Sequence, residues 1–117
     1  MRDLKKLNIW KRSHDLTLAI YETTKSFPKS EQFGLTSQLR RASASVPINI
    51  AEGCGRQSSK ELARFLTIAA GSLSEVEYIV LLSFELQYLS NAEFQKLENE
   101  IIAIKKMIYA FHNKLNS

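Results

Sequence analysis

The chain has 117 residues, 44% of them hydrophobic and 24% charged, with a net charge of +4, which excludes a disordered tail or a collagen-like repeat. One domain of ordinary size accounts for this length, and such a chain can bury a core without disulfides. Four glycines and two prolines are too few for the turns of an all-β fold, and the single cysteine, Cys54, excludes an internal disulfide framework.

The first predicted helix runs from about Asn8 to Ser26. Ile9, Ser13, Leu16, Ile20, Thr23 and Phe27 follow the alternating four- and three-residue spacing of one helix face, with Leu7, Trp10, His14, Thr17, Tyr21 and Thr24 beside them. The Phe27-Pro28 step ends it, because proline pushes the preceding residue out of the helical region. The second predicted helix spans about Thr36 to Cys54, with a start one turn earlier also open. Leu35, Leu39, Ala42, Val46, Asn49 and Gly53 share its inner face, and Ala42-Ser43-Ala44-Ser45 is small enough for close approach of a neighbour. Pro47 falls inside this pattern and removes one backbone hydrogen bond. The expected outcome is a kink near Ser43 to Pro47, with Ser43, Ser45 and Asn49 available to the freed groups. The rival outcome is a break into two helices.

The third predicted helix opens on Ser58-Ser59-Lys60-Glu61, a capping-box pattern, and continues through Leu62, Phe65, Leu66, Ala69, Leu73, Val76 and Val80. From Tyr78 to Leu89 the sequence is apolar nearly all round, more than one stripe of a bundle can bury. Either other segments cap this end or it lies in a subunit interface, the favoured reading, which makes Tyr78, Leu81, Leu82, Phe84 and Tyr88 candidate contacts between subunits. A strand is the other local reading of so apolar a run, but nothing elsewhere offers it a pairing partner. The run is short for a bilayer crossing and contains Glu85; Met1 to Lys6 is charged, with no apolar stretch after it. The sequence therefore reads as soluble and cytoplasmic, with no membrane partner. The fourth predicted helix starts at Ser90-Asn91-Ala92-Glu93, a second capping-box pattern. Phe94, Leu97, Ile101, Ile104, Ile108, Phe111 and Leu115 follow as a heptad seam. Long helices joined by short connections make an all-α, antiparallel up-and-down four-helix bundle, one domain over residues 1–117.

Catalytic constellations are weak. His14 and His112 are the only histidines, and neither follows a glutamate by three residues, as a bundle metal site requires. Cys54 has no histidine near it in sequence, and Gly53-Cys54-Gly55 lacks phosphate-loop spacing. Glu52 and Glu75 are candidate acid–base carboxylates, but Glu52 stands four residues before Arg56 and Glu61 three before Arg64, spacings that favour ion pairs. The sequence predicts no enzyme, metal, cofactor or small-molecule substrate.

The charge is uneven along the chain. Residues 1–59 carry ten basic and five acidic side chains, and residues 60–117 carry six and seven. Lys5, Lys6, Lys11, Arg12, Arg40, Arg41, Arg56 and Arg64 form a candidate phosphate-backbone surface, since arginine forks suit phosphate oxygens. The competing reading is a solvated positive face, or arginines tying helices together through Glu52 and Glu75.

Residues 27–77 also resemble a known family. Phe27-Pro28, Glu31, Gly34-Leu35, Gln38, Arg40-Arg41-Ala42, Ser45-Val46-Pro47, Asn49-Ile50-Ala51-Glu52-Gly53, Gly55-Arg56, Ser59, Glu61, Arg64-Phe65, Ala69, Gly71-Ser72 and Glu75 carry the likeness. It is to the four-helix-bundle proteins encoded in intervening sequences of bacterial 23S ribosomal RNA genes. Similarity around Trp10 and Tyr88 extends it over nearly the whole chain; Phe33 departs, standing where the family often has tyrosine. The resemblance implies a ring-shaped homopentamer and no established enzymatic activity. It also implies kinship with the accessory variability-determinant proteins of diversity-generating retroelements, which bind nucleic acid and a reverse transcriptase. Pro47, Asn49, Glu52, Gly53 and Glu75 then read as motif residues of fold and assembly. The expected function is an oligomeric ring that binds nucleic acid, RNA above all, with a protein–protein adaptor ring as the alternative.

Overall fold

A computed structural model describes residues 3, 4 and 7–116. Four α-helices account for most of the chain: α1 (Asn8–Thr23), α2 (Leu35–Cys54), α3 (Ser59–Glu85) and α4 (Asn91–Leu115). Neighbours in sequence pack antiparallel, α2 against α3 most extensively, and the molecule measures 43 × 23 × 21 Å. The long dimension is set by α3, whose 27 residues extend roughly 40 Å at the rise of an α-helix.

α1 stops one turn short of the sequence expectation. Thr24–Ser26 is a tighter 3₁₀ turn, and Phe27 is extended (φ −65°, ψ 152°), as a residue before proline should be. The turn forms because Arg40 of α2 reaches the end of α1. Its Nε donates to Thr24 Oγ1 at 2.8 Å and its Nη2 to the Tyr21 carbonyl at 3.2 Å, satisfying groups that a helix end leaves open.

α2 runs unbroken through Pro47, so the two-helix alternative does not occur. Without an N–H, Pro47 cannot bond the Ser43 carbonyl one turn earlier. A residue of α1 supplies the missing donor: Thr17 Oγ1 lies 3.0 Å from Ser43 O and 3.1 Å from Ser13 O. The side chains the sequence offered for this task do other things. Ser43 Oγ donates to the Arg40 carbonyl, and the Asn49 amide donates to Ser45 O and Ser45 Oγ. Beyond Pro47, α2 and α3 approach closely. A Cβ on Gly53 would stand 2.7 Å from Leu62 Cδ1 and 3.0 Å from Phe65 Cβ, so only glycine fits this contact.

The two predicted caps are formed differently. Ser90 makes the full reciprocal box, its hydroxyl accepting from Glu93 N–H at 3.1 Å while Ser90 N–H donates to Glu93 Oε1 at 2.8 Å. Ser58 accepts from Glu61 N–H, but the Glu61 carboxylate turns to Arg64 Nε at 2.9 Å instead of completing the box. α3 ends at Glu85 although the apolar run continues to Leu89. Gln87 takes a left-handed conformation (φ 69°), and Tyr88 N–H bonds back to Ser83 O while Gln87 N–H bonds to Phe84 O. This is the Schellman stop, built here without glycine.

The core follows the predicted stripes. Leu62, Phe65, Leu66, Ala69, Leu73, Val76 and Val80 of α3 are buried against Phe94, Leu97, Ile101, Ile104 and Ile108 of α4, Leu39, Ala42, Val46 and Ile50 of α2, and Ile9, Leu16 and Ile20 of α1. By length and composition alone α3 would also be long and apolar enough to cross a membrane, a wider window than the Tyr78–Leu89 run. One face of that helix is nonetheless the centre of the bundle core.

Candidate nucleic-acid interface

An up-and-down bundle gathers the start of α1, the end of α2, the start of α3 and the end of α4 at one pole. Within about two turns of that pole the described residues include six basic side chains (Lys11, Arg12, Arg56, Lys60, Arg64 and Lys114) and four acidic ones. The opposite pole has five basic (Lys25, Lys29, Arg40, Arg41 and Lys96) and five acidic ones. The first pole is therefore the more basic of the two, and half of its basic side chains (Lys60, Arg64 and Lys114) come from the second half of the chain. Lys5 and Lys6 precede α1 and lie outside the described residues.

The centre of this pole is an aromatic ring flanked by guanidiniums. Arg56 lies 5.0 Å and Arg64 4.6 Å from the centroid of Phe65, within cation–π range. Arg56 also reaches Glu52 at 3.4 Å, and Arg64 pairs with Glu61. Hydrogen bonding to Arg64 holds the Glu61 carboxyl below its ordinary range, with the charge of Arg64 adding to it. Lys60, Glu61, Arg64, Thr67 and, from the far end of α4, His112 line a hollow of about 570 Å³.

The other predicted contacts are placed differently. Arg12 is held in a two-pronged bridge to Glu100 of α4, Nε to Oε1 at 2.8 Å and Nη2 to Oε2 at 3.0 Å. Those hydrogen bonds, and the Glu100 charge after them, raise the Arg12 pKa. Lys11 faces Asp15 at 3.3 Å, and the Arg40 guanidinium lies over the Tyr21 ring while clamping the end of α1. Arg41 is exposed and makes no ion pair among the described residues. It lines a hollow of about 220 Å³ between α2 and α3, shared with Gln38, Ser45, Ser72 and Glu75. Ser45 and Ser72 touch through their hydroxyls at 2.9 Å.

The candidate subunit contacts divide. Tyr78 and Leu81 are exposed and Leu82 is half-buried. Phe84 instead stacks on Phe94 with centroids 4.3 Å apart, and Tyr88 packs on Phe27 and donates to Glu31 Oε2 at 2.9 Å. Glu31 in turn accepts from Leu35 N–H, so one carboxylate ties the α1–α2 connection to the α3–α4 connection. Of the motif residues, Pro47 and Gly53 are buried, Asn49 is half-buried, and Glu52 and Glu75 are exposed. Glu52 pairs locally with Arg56, whereas Glu75 makes no ion pair among the described residues, so it ties no arginine across helices. Sequence reasoning missed Thr17, Lys60, Lys114 and His112 as participants. Counting charge by bundle pole instead of by chain half would have found Lys60 and Lys114.

The sequence profile of the 23S rRNA-intervening sequence protein family matches residues 5–110. The chain belongs to this family. The match covers α1 to α3 in full and α4 as far as residue 110, with every basic residue of the pole from Lys11 to Arg64. A solved structure from Bacteroides thetaiotaomicron, described as a protein with unknown function from the S23 ribosomal protein family, is similar in fold. Its TM-score is 0.83 at 22% identity, over 90% of this chain and 95% of that one. No curated protein matches. Within this intervening-sequence protein, the described residues hold no group of three or more His, Cys, Asp or Glu side chains able to hold a metal ion. A cleft of about 580 Å³ between α1 and α4 is spanned by the Arg12–Glu100 bridge, with Leu16 and Leu97 in its lining.

Proposed function

We propose that this protein is a non-enzymatic, ring-forming bundle of the cytoplasm, a homopentamer, that binds nucleic-acid backbone, RNA in preference, through its basic pole. The observation that carries the proposal is the grouping of Arg56 and Arg64 on Phe65, with Arg64, Lys60 and His112 lining a hollow between α3 and α4, at the more basic end of the molecule. Guanidiniums offer planar forks of N–H donors to phosphate oxygens, and a nearby lysine adds a mobile charge. Such contacts fix position on a backbone without reading bases. The family's name points to ribosomal RNA as the first nucleic acid to try. A single copy with a net charge of +4 offers few contacts; five copies on one ring would raise the effective affinity without new chemistry.

The test is a shift assay of the full chain against structured RNA and single-stranded DNA over a salt series. Binding should weaken linearly in the logarithm of salt, with a slope of about 0.7–0.9 per phosphate contact, and Lys60→Glu with Arg64→Glu should lower that slope. Absence of binding to either nucleic acid at low salt refutes the proposal. A second reading, a ring that docks another protein, has its own support in the carboxylate already beside each of Arg12, Arg56 and Arg64. A partner retained by the protein from nuclease-treated lysate, with no shift of RNA, favours that reading.

A further inference from the structure

The outer face of α3 has features that one copy of the chain does not explain. Gly71 stands near the middle of the helix, exposed, and a Cβ there would meet nothing within 4 Å. Glycine weakens a helix interior relative to every residue but proline. At Gly53 the contact with Leu62 and Phe65 requires it; at Gly71 no contact within the chain does. The surface around Gly71 mixes exposed Thr67, Ser74 and Glu75 with large apolar side chains: Ile68 is 40% exposed, Tyr78 61%, and Ile48 of the adjoining α2 58%. Only 39% of the most apolar 18-residue stretch of α3 is buried. Apolar surface gathered in this way marks a contact site.

Charge identifies the occupant. Arg41 and Glu75 border the same hollow beside this face, and neither makes an ion pair among the described residues. A nucleic acid or an anionic membrane would leave the glutamate opposed by like charge. A second copy of the same chain brings one group of each sign, so both can be matched across the contact.

We propose that the outer face of α2 and α3 is the contact between copies of this chain, with a neighbour's helix seated over Gly71 and the Arg41 and Glu75 charges answered by the neighbour. The missing Cβ is what lets that backbone come close. This inference rests on the self-association proposed above and assigns it a surface.

The experiment compares full-length wild type with Gly71→Leu by light scattering across a dilution series, with far-UV circular dichroism alongside. Leucine has open space in the single chain and favours helix, so helix content should be retained. The mass should fall from that of an oligomer to the 13.3 kDa of one chain. Arg41→Glu should raise the dissociation constant by about ten-fold or more through like-charge opposition, and adding Glu75→Arg should recover part of that loss. An oligomeric wild type whose mass neither Gly71→Leu nor Arg41→Glu changes overturns this face while leaving self-association standing. A wild type that is monomeric at every concentration overturns both.

Discussion

The Thr17 hydroxyl offers the sharpest check on how α2 survives its proline. Thr17→Val keeps the shape and removes the donor, stranding a Ser43 carbonyl in a nearly fully buried residue. A buried polar group left without a partner costs about 1–3 kcal/mol. The second bond of Thr17, to Ser13 O, contributes little to that cost, because Ser13 O already has its helical partner. For a chain of this size the loss corresponds to a fall in Tm of about 4 °C per kcal/mol. Loss of stability alone would not identify the cause, so the test is a double-mutant cycle. Pro47→Ala restores an N–H one turn beyond Ser43, and in that background the carbonyl no longer needs Thr17. Thr17→Val should then cost at least about 1 kcal/mol less than in wild type, well outside the ~0.3–0.5 kcal/mol expected of independent sites. Denaturant unfolding of the four proteins gives the coupling. Equal costs in both backgrounds would refute the assignment of Thr17 as the proline's substitute donor.

Gly53→Ala should destabilise the fold by about 1–3 kcal/mol, read by chemical denaturation, because the new Cβ meets the Leu62 methyl and the base of Phe65 in a packed contact. Ser83 Oγ is buried with no hydrogen-bond partner among the described residues; Ser83→Ala should therefore be neutral or stabilising by up to about 1 kcal/mol, and a clear loss would mean the hydroxyl has a partner after all. The Tyr88 pKa is raised, chiefly by its hydrogen bond to Glu31. A raised folded-state pKa means its contribution is complete below the unfolded tyrosine value of about 10 and is lost as pH climbs through the folded value. Tyr88→Phe should flatten the alkaline limb of the Tm–pH curve, and an unchanged limb would count against the Glu31 bridge.

Helix positions were legible because each carries its own periodic stripe, and in α3 and α4 a serine cap announces the start. What the sequence hid was what depends on distant partners. α1 gives way to a 3₁₀ turn because Arg40, sixteen residues beyond Thr24, takes hold of its end. α3 stops at a left-handed glutamine, and glutamine is no stop signal by composition. Pro47 is tolerated through a threonine on another helix. At the candidate interface, the local pairs Glu52–Arg56 and Glu61–Arg64 were readable from helical spacing, whereas Arg12–Glu100, 88 residues apart, was not. The fold also redistributes the predicted phosphate contacts. Arg40 serves a helix end away from the basic pole, while Lys60 and His112, separated by half the chain, line one hollow.

These pairings rank the basic residues as partners for an anion. Arg12 is the most constrained: its two prongs bridge separate helices and it is only partly exposed, so a phosphate would have to displace Glu100 and weaken the α1–α4 contact together. Arg40 is bound to backbone and hydroxyl groups that would lose their donor if it moved. Arg56 and Arg64 are different. Their carboxylates lie three or four residues away on exposed helix surface, where such pairs contribute little and exchange readily with solvent ions. Phe65 gives both guanidiniums a cation–π contact separate from their carboxylates. A phosphate arriving at this pole can therefore take over from Glu52 or Glu61 without disturbing the bundle. The sequence treats all these arginines alike; the bonds they already make narrow the candidate surface to Arg56, Lys60, Arg64 and the neighbouring His112.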